Sequence, residues 1–151
     1  MKNLKYQIVS LVLVAVAFVS CSDDDSTLDT QKPTITVQSP TTHQEVEPGT
    51  QLNIKAMLQD ETALASYKIE IHSAEDGHEH KAFGAKEAED FHYEETFQVA
   101  GNSKKYQVDY NINVPVGVAE EHYHVGIFCI DAAGNQSQQF VEIFIGEEHT
   151  H

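Results

Sequence analysis

The sequence contains no tryptophan, only two cysteines and few basic residues. Nine basic residues stand against 24 aspartates and glutamates, which gives a formal net charge of −15 at pH 7. Such an acidic chain is a poor candidate for binding nucleic acid or anionic lipid, because both are negatively charged. The absence of tryptophan argues mildly against glycan binding, which commonly uses exposed aromatic faces.

The amino terminus has the organisation of an export signal. Lys2 and Lys5 form a positively charged start, and residues 8–19 are almost entirely apolar. This apolar run is too short to span a bilayer comfortably. The segment ending Val19-Ser20-Cys21 resembles a bacterial lipobox, which implies cleavage before Cys21 and lipidation of its thiol. The alternative is an ordinary secretory signal that happens to contain Cys21.

The chain after Cys21 begins with an acidic stretch. Residues 22–25 (Ser-Asp-Asp-Asp) resemble the surface-export signal of Bacteroidota lipoproteins, and we expect no folded structure over residues 22–31. We therefore divide the chain into a signal peptide (1–20), an acidic tether after lipidated Cys21 (21–32), a folded domain (33–146) and a histidine-containing tail (147–151). The expected location is the outer membrane, with the lipid anchor in the bilayer and the domain facing the surface or the periplasm.

The predicted domain is all-β. Apolar and polar residues alternate with a period of two, and turn residues separate the runs. Seven strands are predicted, over residues 34–38, 52–58, 65–71, 91–99, 106–114, 123–129 and 140–145. A hairpin turn from Asp131 to Asn135 joins the last two, and Gly134 is free to take a positive φ there. Seven short strands of this kind predict an immunoglobulin-like β-sandwich.

Two stretches carry family resemblances. The stretch from Tyr123 to Asn135 resembles the penultimate strand and hairpin of bacterial Ig-like domains, in which Tyr123 would pin a corner. The stretch from Leu64 to His72, followed by Asp76-Gly77-His78 and His80, is similar to a Bacteroidota lipoprotein family with an Ig-like domain of unknown function. The second resemblance covers most of residues 33–146. It implies a fold and a location, and it implies no activity.

Histidine is the unusual component of this chain. The nine histidines lie at positions 43, 72, 78, 80, 92, 122, 124, 149 and 151. Six of them form pairs spaced i, i+2, and two such residues in a strand point to the same face about 7 Å apart. In an Ig-like topology the end of the third strand and the start of the sixth meet at one rim, so we predict a metal site formed by His72, His78, His80, His122 and His124. His43 lies in an early turn, and we expect the topology to leave it away from this rim.

The residues around that rim suit a divalent transition metal. The nearby carboxylates are those of Glu75, Asp76, Glu79, Glu120 and Glu121. Imidazole with carboxylate suits zinc or copper(II) in tetrahedral coordination. A soft copper(I) site is disfavoured, because Met57 is the only thioether left after removal of the signal peptide. Asp131 and Asn135 raise calcium as an alternative metal, but Asp131 more commonly caps backbone amides in such a turn.

The sequence gives no sign of an enzyme. It has no recognisable nucleophile motif and no glycine-rich phosphate loop, and the alternation of Cys129, Tyr67, Tyr106 and Tyr110 places them in the core. We predict a non-enzymatic, membrane-anchored binding lipoprotein, with an outer-membrane transporter or surface protein as a further partner. The alternative is a structural or adhesive surface module that binds protein or glycan, with incidental histidines. A metalloenzyme resembling Cu/Zn superoxide dismutase is disfavoured, because that enzyme's histidine pattern and disulfide are missing.

Overall fold

A computed structural model describes residues 28–74 and 88–146, which form eight strands and no helix. The strands are β1 (Thr34–Ser39), β2 (Gln44–Val46), β3 (Gln51–Gln59), β4 (Leu64–Ser73), β5 (Tyr93–Gln98), β6 (Lys105–Asn113), β7 (Glu121–Asp131) and β8 (Gln136–Ile145). Among these residues no helix is long and apolar enough to cross a membrane. The all-β prediction is confirmed.

The strands form two sheets. One sheet has the order β1-β3-β6, and the other has the order β2-β8-β7-β4-β5. Every pairing is antiparallel except that of β2 with β8, which is parallel. The neighbouring strands β4, β7 and β8 correspond to the C, F and G strands that share a sheet in an immunoglobulin-like sandwich. The predicted sandwich is therefore confirmed.

The core lies between the two sheets and follows the predicted alternation. In β3 and β4 the inward residues are almost completely buried, and the intervening polar residues face outward. The fully buried side chains include Leu52, Ile54, Leu58, Ile69, Ile71, Tyr123, Val125, Ile127, Ile143 and Ile145. Each buried aliphatic side chain contributes about 1.5–3 kcal/mol relative to exposure. Cys129 is also fully buried, so it is a core residue as predicted.

Tyr123 ties the start of β7 to the preceding loop. Its hydroxyl donates to the carbonyl oxygen of Ala119 at 3.0 Å and accepts from the amide of Phe91 at 3.2 Å. Burial raises the pKa of Tyr123 to about 12, so the phenol remains a neutral donor at physiological pH. The expected corner role of this tyrosine is confirmed.

The turn between β7 and β8 also has the predicted form. Asp131 accepts hydrogen bonds from the backbone amide and the side-chain amide of Asn135, both at 2.8 Å. Gly134 has a φ of 93°, a left-handed conformation that residues with a side chain rarely adopt. Asp131 therefore caps the turn, as the sequence predicted.

Two features depart from the sequence prediction. Strand β2 was not predicted, because three residues with one buried side chain, Val46, are too short to show a period of two. The segment at residues 28–31 forms no strand or helix, yet it contacts the domain: the side-chain amide of Asn135 donates to the carbonyl oxygen of Asp29 at 3.1 Å. The end of the expected tether is therefore attached to the sandwich.

Candidate metal centre

The outer face of the five-stranded sheet brings three of the predicted histidines together. His72 of β4 lies directly opposite His124 of β7 in the strand register. His122 and His124 point outward because the residues between and after them, Tyr123 and Val125, are buried in the core. All three histidines are half-buried. The predicted outward orientation of these side chains is confirmed.

Glu142 lies among the histidines of this face. It is outward on β8, opposite His124, because its neighbour Ile143 points into the core. Its Oε1 is 3.3 Å from Nδ1 of His122, and its Oε2 is 3.6 Å from Nε2 of His124. Oε1 is also 3.4 Å from Nδ1 of His43. One carboxylate thus faces three imidazoles.

His43 reaches Glu142 because of strand β2. The parallel register places Gln44 opposite Ile143, so the residue before β2 lies beside Glu142. The backbone amide of His43 donates to the carbonyl oxygen of Glu142 at 2.8 Å. The expectation that His43 lies away from the histidine rim is therefore wrong, and its cause is the strand that the sequence did not reveal.

The backbone of His43 adopts an uncommon conformation. Its φ of 58° lies in the left-handed region, which residues other than glycine occupy at a cost of about 1–3 kcal/mol. Such conformations persist where surrounding structure holds them, and they cluster at functional sites. The two backbone hydrogen bonds beside it, from His43 to Glu142 and from Gln44 to Thr41 at 3.0 Å, hold this turn in place.

We call His43, His122 and Glu142 the Glu142 cluster. One ligand atom from each residue lies within 4.8 Å of the other two. In a tetrahedral zinc site with bonds of about 2.0–2.1 Å, two ligand atoms lie about 3.3 Å apart. The distances from Glu142 Oε1 to the two imidazole nitrogens, 3.3 and 3.4 Å, match this separation. Two imidazoles and a carboxylate would leave the fourth position of a tetrahedron open to water.

The ring nitrogen of His122 that faces Glu142 is Nδ1. Nδ1 of His122 is buried and has no hydrogen-bond partner among the described residues. Its approach to Glu142 at 3.3 Å lacks hydrogen-bond geometry. Buried polar atoms are nearly always paired, so an unpaired ring nitrogen beside a carboxylate fits a position for a bound cation.

A second pair of imidazoles extends the cluster across the sheet. The rings of His72 and His124 are 5.5 Å apart between centroids and nearly perpendicular. Nδ1 of His72 lies 2.9 Å from the carbonyl oxygen of Ser73, which can only accept a hydrogen bond, so the proton of a neutral His72 ring is on Nδ1. Its Nε2 then carries the lone pair and lies 3.8 Å from Glu70 Oε1. Metal-binding histidines are commonly oriented by such a bond to a carbonyl.

The remaining predicted residues divide into two groups. His78, His80, Glu75, Asp76, Glu79, His149 and His151 lie outside the described residues. His92 is described and exposed, and it is not among the three ligands of the Glu142 cluster. Glu120 and Glu121 are described as well, but the three-ligand cluster on this face takes its carboxylate from Glu142 instead.

Comparison with protein families gives one match. The family model described as "Domain of unknown function (DUF4625)" matches residues 19–146. A search of curated proteins gives no match.

Solved structures of similar fold share little sequence with this chain. A fibronectin(III)-like module of CbhA from Clostridium thermocellum is 15% identical, with a TM-score of 0.45 over 74% of this chain and 94% of the module. A DUF4466 family protein from Parabacteroides merdae is 8% identical, with a TM-score of 0.49 over 74% of this chain and 44% of that protein. OgpA from Akkermansia muciniphila is 11% identical, with a TM-score of 0.48 over 78% of this chain and 30% of OgpA.

Proposed function

We propose that this chain, which belongs to the DUF4625 family of domains of unknown function, is a non-enzymatic, membrane-anchored lipoprotein that binds zinc or copper(II). The metal is held on the outer face of the five-stranded sheet by His43, His122 and Glu142. His124 and His72 flank this position and supply further imidazole ligands or orient the first three residues.

The observation that carries the proposal is the convergence of imidazoles on one carboxylate. His43 comes from the loop before β2, His122 from β7 and Glu142 from β8, so three separate elements contribute one ligand each. Their spacing agrees with the ligand separation of a tetrahedral site, and the buried Nδ1 of His122 has no other partner among the described residues.

The ligand types support zinc or copper(II) over other metals. Imidazole nitrogen and carboxylate oxygen suit both ions, whereas copper(I) prefers sulfur ligands. Met57 lies on β3 in the other sheet, and Cys129 is buried in the core. Neither sulfur is therefore on the face that carries the Glu142 cluster.

The membrane anchor is proposed from the sequence. Cys21 would carry the lipid and hold the domain at the outer membrane, facing the surface or the periplasm. The role that follows is metal capture, or delivery of the metal to an outer-membrane transporter or surface protein. A three-ligand site whose fourth position is open to water suits an ion that must leave again.

The test is calorimetric titration of zinc into metal-free protein, with Glu142→Gln as the variant. The amide preserves the shape of the side chain and removes the anionic ligand, so the dissociation constant should rise at least tenfold. Glu45→Gln is the matched control, because Glu45 is an exposed glutamate on neighbouring β2. Binding near one zinc per chain that is lost only in Glu142→Gln supports the proposal. Absence of zinc binding would leave the structural or adhesive module as the better account.

A further inference from the structure

A second cluster of ligands lies at the opposite end of β7 from the histidines. Asp131 is the last residue of β7, Asp60 follows β3, and Asp29 precedes β1. Between His124 and Asp131 the strand advances about 23 Å, so the two clusters are separate. One carboxylate oxygen from each aspartate lies within 4.8 Å of the other two.

The hydrogen bonds of these aspartates leave two oxygen atoms unused. Oδ1 of Asp60 accepts from the amides of Thr62 and Ala63, both at 2.8 Å. Oδ1 of Asp29 accepts from the amide of Gln31 at 3.0 Å. The Oδ2 atoms of Asp29 and Asp60 are both buried, and within the described residues neither accepts a hydrogen bond of normal geometry. The side chain of Thr62 lies close to Asp29 and is the main cause that lowers the pKa of its carboxyl group.

Asp131 adds a third, deeply buried carboxylate. Asp131 is only 2% exposed, and Asn135 donates a hydrogen bond to each of its two carboxylate oxygens. Each of these oxygens has a further lone pair available. Within the described parts of the chain, no lysine or histidine forms an ion pair with any of the three aspartates. Three carboxylates are therefore gathered without a cationic side chain to offset their charge.

We propose that Asp29, Asp60 and Asp131 bind calcium. Buried carboxylate oxygens without a partner are costly, and a hard divalent cation compensates both their charge and their missing contacts. Calcium binds six to eight oxygens at about 2.3–2.6 Å, so two oxygens on opposite sides of the ion lie about 4.8 Å apart. Three oxygens that lie within 4.8 Å of one another can therefore contact one calcium ion. The cluster contains no nitrogen or sulfur ligand, so it favours a different metal from the Glu142 cluster.

This site would connect the chain before β1 to the body of the domain. Asp29 lies outside the strands, whereas Asp60 and Asp131 follow or end strands of the two different sheets. Calcium would therefore fix residues 28–31 against the end of the sandwich. If Cys21 carries the lipid, this fixes the direction in which the domain leaves the membrane. The calcium site itself does not depend on the proposed zinc or copper(II) function.

The test is a series of thermal melts of full-length protein that has been purified in detergent and freed of metal with a chelator. Calcium chloride is added to these samples up to about 10 mM. Extracellular calcium modules commonly have dissociation constants of about 0.1–1 mM, so the melting midpoint should rise by several degrees and should keep rising with the logarithm of the calcium concentration above that range. Asp60→Asn should remove this rise. The asparagine oxygen can still accept from the amides of Thr62 and Ala63, so the metal-free variant should melt no lower than the wild type.

Asp109→Asn is the matched control, because Asp109 is an exposed aspartate on β6 that pairs with Lys55. It should keep the full calcium response. If Asp60→Asn does not fold, Asp29→Asn provides the same test from a residue outside the strands, and it should also lose the response. No calcium shift in the wild type, or an equal shift in the Asp60 or Asp29 variant, would overturn the proposal.

Discussion

Zinc should stabilise the folded domain through the Glu142 cluster, and the loss of His43 should remove that stabilisation. A ligand that binds only the folded state adds about 2.7 kcal/mol when its free concentration is 100 times the dissociation constant. At about 4 °C per kcal/mol for a domain of this size, the melting midpoint should rise by roughly 10 °C. Thermal melts followed by circular dichroism resolve such a shift easily.

The His43→Ala variant tests the one histidine of the cluster that the sequence did not predict as a ligand. Removing one of three ligands should weaken binding by about 100-fold or more, so the same free zinc would equal the dissociation constant and stabilise by only about 0.4 kcal/mol. Most of the shift should disappear. His92→Ala is the matched control, because His92 is exposed and is not one of the three ligands of the cluster, and it should keep the full shift.

The result that would refute this reasoning is a full zinc shift in His43→Ala. A double change of His78→Ala and His80→Ala separates the two ligand sets. If that variant loses the shift and His43→Ala keeps it, the five-histidine site predicted from sequence is correct and the Glu142 cluster is not the zinc site. Because imidazole binds metal only when neutral, the wild-type shift should also fade as the solution is acidified.

Three further predictions concern the anchor and the core. Cys21→Ala should abolish incorporation of radioactive palmitate and release the protein from membranes; unchanged labelling would contradict lipidation at that residue. Tyr123→Phe should destabilise the domain by about 1–3 kcal/mol in urea denaturation, because the buried amide of Phe91 and carbonyl of Ala119 both lose their partner; a change below about 0.5 kcal/mol would contradict the corner role. Burial raises the pKa of the Cys129 thiol to about 11 from its ordinary value of 9.0, so the stability that the protonated thiol contributes should be complete below pH 9 and lost as pH rises toward 11. At pH 8 a thiol reagent should modify Cys129 in urea and not in the folded protein.

The alternation of apolar residues was sufficient to predict the sheet that carries the histidines. Because Tyr123 and Val125 face the core, His122 and His124 must face outward, and the antiparallel pairing of β4 with β7 follows from the Ig-like order of strands. The same reasoning placed His72 on that surface, and it lies directly opposite His124. These features depend on long, regular strands, in which a period of two is easy to recognise.

The contribution of His43 could not be predicted in this way. It depends on β2, a three-residue strand whose parallel pairing with β8 joins segments that are far apart in the sequence. Short strands carry almost no periodic signal, and parallel pairing is not marked by a hairpin turn.

Glu142 was missed for a different reason. It lies in the last predicted strand, where its alternation with Ile143 and Ile145 places it outward beside β7. The alternation in this strand therefore contains the signal, but proximity to histidines along the chain favours other carboxylates as ligands. Predicting ligands that come from neighbouring strands requires the register of those strands as well as the amino-acid composition.

The most direct test of the metal site is a crystal structure of the domain grown with zinc, measured with anomalous diffraction at the zinc absorption edge. We expect a strong anomalous peak about 2.0–2.2 Å from Nδ1 of His43, Nδ1 of His122 and a carboxylate oxygen of Glu142. A peak located elsewhere on the protein, or no peak from crystals that contain excess zinc, would contradict the proposed site.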